Sequence, residues 1–229
     1  YTDIAKNYLV SEGIPADRII KVGSPMKEVI VHNRKKINKS NILKKLVLKK
    51  NKFFLVSFHR EENVDNKKKL ETFLNLLEWL SNNFPYRIVV STHYRTQDRL
   101  NKLNKKFEKI KKEYTKKIVF LKPFNFSDYV KLQQNCNIIL SDSGTLTEEA
   151  SILRLKAIKL RASHERPEGM EQGTTIMCDL KISKINTAIQ VLNKSKNSYP
   201  VIDYISDNFS DKVVKNIISY LDYSINKKV

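Results

Sequence analysis

The feature that most constrains this chain is an alternation of short apolar runs with amphipathic stretches, repeated at least five times. The runs are Arg18–Val22 (RIIKV), Phe53–Ser57 (FFLVS), Arg87–Ser91 (RIVVS), Ile118–Leu121, Asn137–Ser141 (NIILS) and Ala157–Leu160, with Thr174–Met177 as a further short run. FFLVS shows no polar alternation, as expected of a strand covered on both faces. Between the runs lie helical patterns. Lys68–Asn82 carries Leu70, Phe73, Leu74, Leu77 and Leu80 at helical spacing. Further helices are expected near Thr2–Glu12, from Met26, from Ser40 (Ile42, Leu43, Leu46, Val47), over Asp128–Gln134, Thr145–Leu153 and Ile182–Leu192, and over Asp211–Ile225. Gly13 and Pro15 mark the end of the first. No Asn-Gly or Asp-Gly hairpin signal separates the strands. The pattern calls for an α/β fold: a doubly wound parallel sheet with right-handed crossovers and helices on both faces.

Composition excludes several classes. With 229 residues, 41% hydrophobic and 29% charged, the chain is globular in type, and no apolar run approaches the ~18 residues of a membrane span. Cys136 and Cys178 fit neither a disulfide framework nor a zinc site, and are expected as core residues in a reducing compartment. The net charge of +19 sits mostly in residues 34–52 and 102–117. The first stretch has no aromatic and the second only Phe107 and Tyr114, so a solvated Lys-rich surface is favoured over a nucleic-acid footprint with interleaved stacking residues. The chain starts at Tyr1 and shows no signal-peptide pattern, so a fragment or processed product is expected.

Ligands of open parallel sheets bind beyond the carboxyl ends of the strands. The residues there are Gly23 and Ser24; Phe58, His59 and Arg60; Thr92 and His93; Asp142, Ser143 and Gly144; and Arg161. Hydroxyls, a forked cation and backbone N–H groups at a helix start suit an anionic, polyol-bearing ligand. Each group also has a plainer role. Asp142-Ser143-Gly144-Thr145 can be an N-cap alone, and Glu148 and Glu149 can simply favour the helix dipole. Glu149 can equally accept hydrogen bonds from two ribose hydroxyls. His93 and His164 carry less weight than His59, and His32 is expected at the surface. GxGxxG, P-loop and G-x-S-x-G patterns are absent, and the His and Cys spacing supports no metal site.

Three longer motifs go further. Phe58-His59-Arg60-Glu61-Glu62-Asn63, Ser141–Gly144 running into Thr147-Glu148-Glu149-Ala150, and Arg161 followed by Glu165-Arg166-Pro167-Glu168 resemble signatures of the non-hydrolysing UDP-N-acetylglucosamine 2-epimerase family, in order. The texture VSFHREENVDN, VSTHYRT and SHERPEGMEQG is most similar to a surface-polysaccharide branch. That branch converts UDP-2-acetamido-2,6-dideoxy-L-talose to UDP-N-acetyl-L-fucosamine. The resemblance implies the C-terminal, Rossmann-like half of a GT-B-like two-domain enzyme. It divides the chain into a lead-in (1–25), a UDP-binding domain (26–200) and a C-terminal helix packing back on the fold (201–229).

It also implies roles. His59 lies near the diphosphate and helps UDP leave, while Ser143 and the Gly144 N–H hold phosphate oxygens. Glu149 takes the ribose hydroxyls, Arg161 faces the diphosphate or sugar, and Tyr129 lies beside the uracil, with Phe124 or Phe126 as alternatives. The family often has a second Gly where Thr145 stands. The implied reaction eliminates UDP across C1–C2 and adds it back with C2 inverted, using no cofactor, neither NAD nor a metal. The carboxylates credited with proton transfer match no position here, and Glu165 and Glu168 are expected as ion-pair partners of Arg166. A cytoplasmic protein acting on a UDP-sugar, with no nucleic-acid or membrane partner and homodimeric at full length, is the corresponding expectation. A GT-B glycosyltransferase is the alternative.

Overall fold

The computed structural model describes residues 1–226 except Asn104, His164 and residues 196–198, with side chains as far as Leu221. The expectation for His164 therefore lies outside the described residues. In chain order the elements are α1 (Asp3–Ser11), α2 (Met26–His32), α3 (Arg34–Lys39), α4 (Ile42–Lys45), β1 (Phe53–Ser57), α5 (Glu61–Val64) and α6 (Lys67–Asn83). They continue with β2 (Arg87–Ser91), α7 (Tyr94–Lys102), α8 (Lys105–Glu113), β3 (Ile118–Leu121), α9 (Phe126–Gln133) and β4 (Ile138–Ser141). The last are α10 (Leu146–Leu153), β5 (Ala157–Lys159), α11 (Pro167–Glu171), β6 (Ile176–Met177), α12 (Ile182–Lys194) and α13 (Phe209–Asn226).

All pairings in the sheet are parallel, in the order β3-β2-β1-β4-β5-β6. This is the doubly wound, Rossmann-like order, and the winding reverses between β1 and β4. The pleat divides the apolar residues between two faces. Phe54, Val56, Ile88, Val90, Ile138, Leu140 and Ile158 meet α6, α7, α8 and α12 through Leu70, Phe73, Leu100, Phe107 and Ile185. Phe53, Leu55, Val89, Ile139 and Ala157 meet α4, α9 and α10 through Ile42, Leu132, Leu146 and Ala150. Both layers exclude water, which is why the strands read as unbroken apolar runs.

The N-terminal segment corrects one expectation. Residues 18–22 do not form a strand: a single 3-10 turn spans Ala16–Arg18, and the chain then runs outside the sheet. Ile20 stays exposed, and Lys21 is held by Asp3 at 2.6 Å and Asp203 at 2.8 Å instead of by a ladder. Thr2 caps α1 by accepting from the Ala5 N–H, and Gly13 takes the left-handed φ of 91° expected just past a helix end. The turn after α4 is a second difference. Val47 is exposed, with φ 51°, because the one-turn helix ends at Lys45 and the chain must reverse into β1.

The basic stretches do not share one face. Helices α3 and α4 pack on α9, whereas α8 packs on α6 across the sheet. Cys136 and Cys178 are both buried and unbridged. Among the described residues no helix is long and apolar enough to cross a membrane.

Candidate active site

The reversal of winding places the ends of β1 and β4 side by side, with Ser57 in register with Ser141. Helices leave from both ends, so the two following segments diverge and open a crevice between them. His59 and Arg60 come from one segment, and Asp142, Ser143 and Gly144 from the other.

Asp142 is fully buried and is not a helix cap; the residue at the head of α10 is Thr145. Its carboxylate instead accepts from the backbone N–H of His59 (3.0 Å to Oδ2), the N–H of Arg60 (2.9 Å) and Asn63 Nδ2 (3.1 Å). His59 Nδ1 lies 3.1 Å from its other oxygen. Burial pushes the Asp142 pKa up, but the bonds from His59, Arg60 and Asn63 outweigh it and hold the carboxyl below its ordinary value. A chain reversal that would otherwise leave buried N–H groups unpaired is thus built around one ionised carboxylate. It is followed by the one-turn helix α5, which sequence patterning did not show because a single turn has no periodicity.

Thr145 makes no side-chain cap, which leaves the first-turn N–H groups of α10 facing the crevice. Ser143 Oγ lies 3.0 Å from Thr145 Oγ1, which donates to Glu149 Oε1 at 3.0 Å, and Gln133 Nε2 donates to Glu149 Oε2 at 2.5 Å. Burial raises the Glu149 pKa, against the lowering effect of those two donors. Tyr129 packs in the α9 layer with its hydroxyl pKa raised, first by burial and then by the Glu149 charge. Phe124 and Phe126, the alternatives for an aromatic beside a base, belong to separate apolar clusters.

Gly144 sits among cations. A Cβ there would lie 2.9 Å from Arg60 Nη2 and 3.0 Å from Arg166 Nη1, so the absent side chain lets two guanidinium groups reach the backbone. Arg161, 9% exposed, bonds Glu165 at 3.1 Å and Glu62 at 3.3 Å. Arg166 pairs at 3.0 Å with Glu148, which also accepts from Ser24 Oγ at 2.5 Å. The Gly-Ser-Pro turn of the N-terminal segment is thereby joined to α10. Gly23 makes this possible at φ 90°, where a Cβ would press to 3.0 Å on the Asp203 carbonyl.

His59, Ser143, Gly144, Glu149, Arg161 and Tyr129 thus gather at one end of the sheet. Arg60, a rim residue in the sequence, and Arg166, from the third motif, join them, as does Lys159, which sequence reasoning missed. Lys159 is 1% exposed, donates to Thr147 Oγ1 at 2.9 Å, and has its pKa pushed down to about 8 by burial and then by Arg161 and Arg166. A lysine inside the apolar run AIKL was the available signal. His93 caps α7 by accepting from the Arg95 N–H, and its ring centroid lies 6.4 Å from that of His59. His32 is exposed at the end of α2. Glu165 meets Arg166 at 3.9 Å as expected, but Glu168 does not: its Oε1 accepts from the Tyr204 hydroxyl. Three arginines, a helix start and the buried Glu149 carboxylate thus meet at one end of the sheet, groups whose chemistry suits a phosphorylated, hydroxyl-rich ligand.

Comparison with known proteins identifies the family. The profile of the family described as UDP-N-acetylglucosamine 2-epimerase matches residues 1–222. A UDP-N-acetylglucosamine 2-epimerase of Methanocaldococcus jannaschii is 35% identical over 200 residues, 86% of this chain and 54% of the relative. The structure of UDP-N-acetylglucosamine 2-epimerase from Rickettsia bellii superposes with a TM-score of 0.86 at 42% identity, covering all of this chain and 60% of that one. The M. jannaschii enzyme in complex with UDP-GlcNAc and UDP gives 0.86 at 31% identity, covering 96% and 59%. The chain therefore spans little more than half the length of these relatives. With the profile match running through nearly the whole sequence, the chain belongs to the UDP-N-acetylglucosamine 2-epimerase family.

Proposed function

We propose that this chain is the UDP-binding half of a nucleotide-sugar 2-epimerase, which inverts C2 of a UDP-N-acetylhexosamine by eliminating and re-adding UDP. The carrying observation is the pair Arg60 and Arg166 at Gly144, ahead of α10, with Arg161 joined to them through Glu165, placed where the sheet reverses its winding. The diphosphate lies against Ser143, the N–H of Gly144 and Arg161; Glu149 takes the ribose hydroxyls, and Tyr129 lines the base side.

As C1–O cleaves, the bonding electrons leave with UDP and negative charge grows on the diphosphate. Oriented N–H and guanidinium donors in a partly dry cleft stabilise that charge without reorganising. His59 is aimed by Asp142: a carboxylate accepting from Nδ1–H leaves Nε2 for the cleft and the departing nucleotide. The relative solved with UDP-GlcNAc and UDP bound supports this ligand class.

The finer reading is the branch that makes UDP-N-acetyl-L-fucosamine for capsule or O-antigen precursors, supported by the HREEN and SHERPEGM texture. We divide the chain into a lead-in (1–25), the UDP-binding domain (26–200) and a C-terminal helix (201–229), and place the complete enzyme in the cytoplasm as a homodimer. We assign the base and acid for the C2 proton to the part of the relatives' length that this chain does not span.

The test is incubation of the purified chain with UDP-N-acetylglucosamine in deuterated water, followed by NMR. Neither C2 inversion nor deuterium incorporation is expected from this chain alone, and both are expected once the first domain is supplied. Turnover by the chain alone would place the acid and base within it. A glycoside formed only with an acceptor would instead favour a glycosyltransferase.

A further inference from the structure

We propose that Glu165 is an internal anion, held at the phosphate position over Gly144 and displaced by the diphosphate of the ligand. This rests on the UDP site described above and deepens it. Three guanidinium groups close on the Glu165 carboxylate: Arg161 Nη1 at 3.1 Å, Arg60 Nη1 at 3.6 Å and Arg166 Nη1 at 3.9 Å. A Cβ on Gly144 would lie 3.6 Å from Glu165 Oε2, so the carboxylate stands over the glycine that opens α10. These cations converge on the point where a helix start favours an anion. Buried Lys159 adds to the same positive field.

Exposure separates the fixed members of the cluster from the exchangeable one. The Arg161 and Arg166 side chains are 9% and 19% exposed, whereas that of Glu165 is 53% exposed. Glu165 can swing out without uncovering the core. Glu148 makes the opposite arrangement: at 2% exposed and fixed by Ser24 and Arg166, it is a permanent counter-ion. Arg161, first by hydrogen bonding, holds the Glu165 pKa below its ordinary value, so this carboxyl is ionised at neutral pH. A tethered carboxylate competes at a high effective concentration. Stray monovalent anions are therefore excluded, and a ligand must bring more than one negative charge to take the position. Glu165 acts as a specificity residue for diphosphates, and its contribution to UDP affinity is negative.

The test is calorimetry of the chain with UDP and with uridine at fixed ionic strength, for the wild type, Glu165→Gln and Arg161→Ala. Glu165→Gln keeps the side chain's size and removes its charge. It is expected to tighten UDP roughly two- to fivefold, the range of a half-exposed ion-pair competitor, and to leave uridine unchanged. Thermal unfolding checks that the variant folds, and inorganic pyrophosphate should raise its melting temperature more than that of the wild type. UDP binding by Glu165→Gln that is equal to or weaker than the wild type, with Arg161→Ala weakened, overturns the internal-anion role and leaves the site in place. Arg161→Ala binding UDP like the wild type overturns the site and the inference together.

Discussion

Replacing Asp142 with Asn changes one oxygen to a nitrogen at a fully buried position, yet it should be among the most damaging substitutions in the chain. The carboxylate accepts from two backbone N–H groups, the Asn63 amide and His59 Nδ1 within 3.1 Å. An amide offers one oxygen, so its NH2 must face at least one of those donors. Each hydrogen bond to a charged acceptor contributes about 1.5–3 kcal/mol, and a buried donor left unpaired costs about 1–3 kcal/mol. Local movement recovers part of this, so the expected loss is about 3–5 kcal/mol. Urea unfolding followed by far-UV circular dichroism measures it at neutral pH.

The sign of the pH dependence follows from the lowered folded-state pKa. The stabilisation is complete above the unfolded value of about 3.9 and is lost as pH falls through the lower folded value. Wild type should therefore lose more stability than Asp142→Asn as pH drops below about 4. A loss under about 1 kcal/mol, the range of an ordinary surface change, would refute the view that this carboxylate organises the loop after β1. Identical acid profiles for the two proteins would refute it as well.

Two further outcomes follow from the same site. Lys159 has a folded pKa of about 8 against an ordinary 10.5, so folding disfavours its proton and stability attributable to it rises as pH climbs between those values. Lys159→Met should be neutral or stabilising at pH 7 by up to about 3 kcal/mol, and urea unfolding from pH 7 to 10 should show its alkaline rise flattened. His59→Ala in the complete two-domain enzyme should slow kcat more than it weakens UDP binding, because a donor to developing charge acts in the transition state. Steady-state kinetics beside calorimetry checks this, and equal losses would make His59 a binding residue only.

The sheet was readable from sequence because both its faces are covered: FFLVS, RIVVS and NIILS carry no polar alternation that could mislead. RIIKV misled for the same reason in reverse. Its apolar residues look like a strand, but Lys21 finds Asp203, 182 positions away, and no local pattern encodes such a partner. Rim residues such as His59 and Arg161 were readable because each lies two positions past the end of a strand. A cap is the plainer alternative for Asp142 because capping is local, whereas its partners lie about eighty residues earlier. Arg60 and Arg166 are visible in the motifs, but their convergence on Gly144 is not, because it depends on two loops meeting across the crevice.

The central claim is that UDP binds at the joined ends of β1 and β4, and amide NMR of the labelled chain titrated with UDP tests it most directly. The account predicts that the resonances of His59, Ser143, Gly144 and Thr145 shift with one saturable affinity. That affinity should be weakened by about 1–3 kcal/mol in Arg161→Ala and in Glu149→Ala. Shifts confined to other parts of the fold, or those four amides unmoved at saturating UDP, would contradict it.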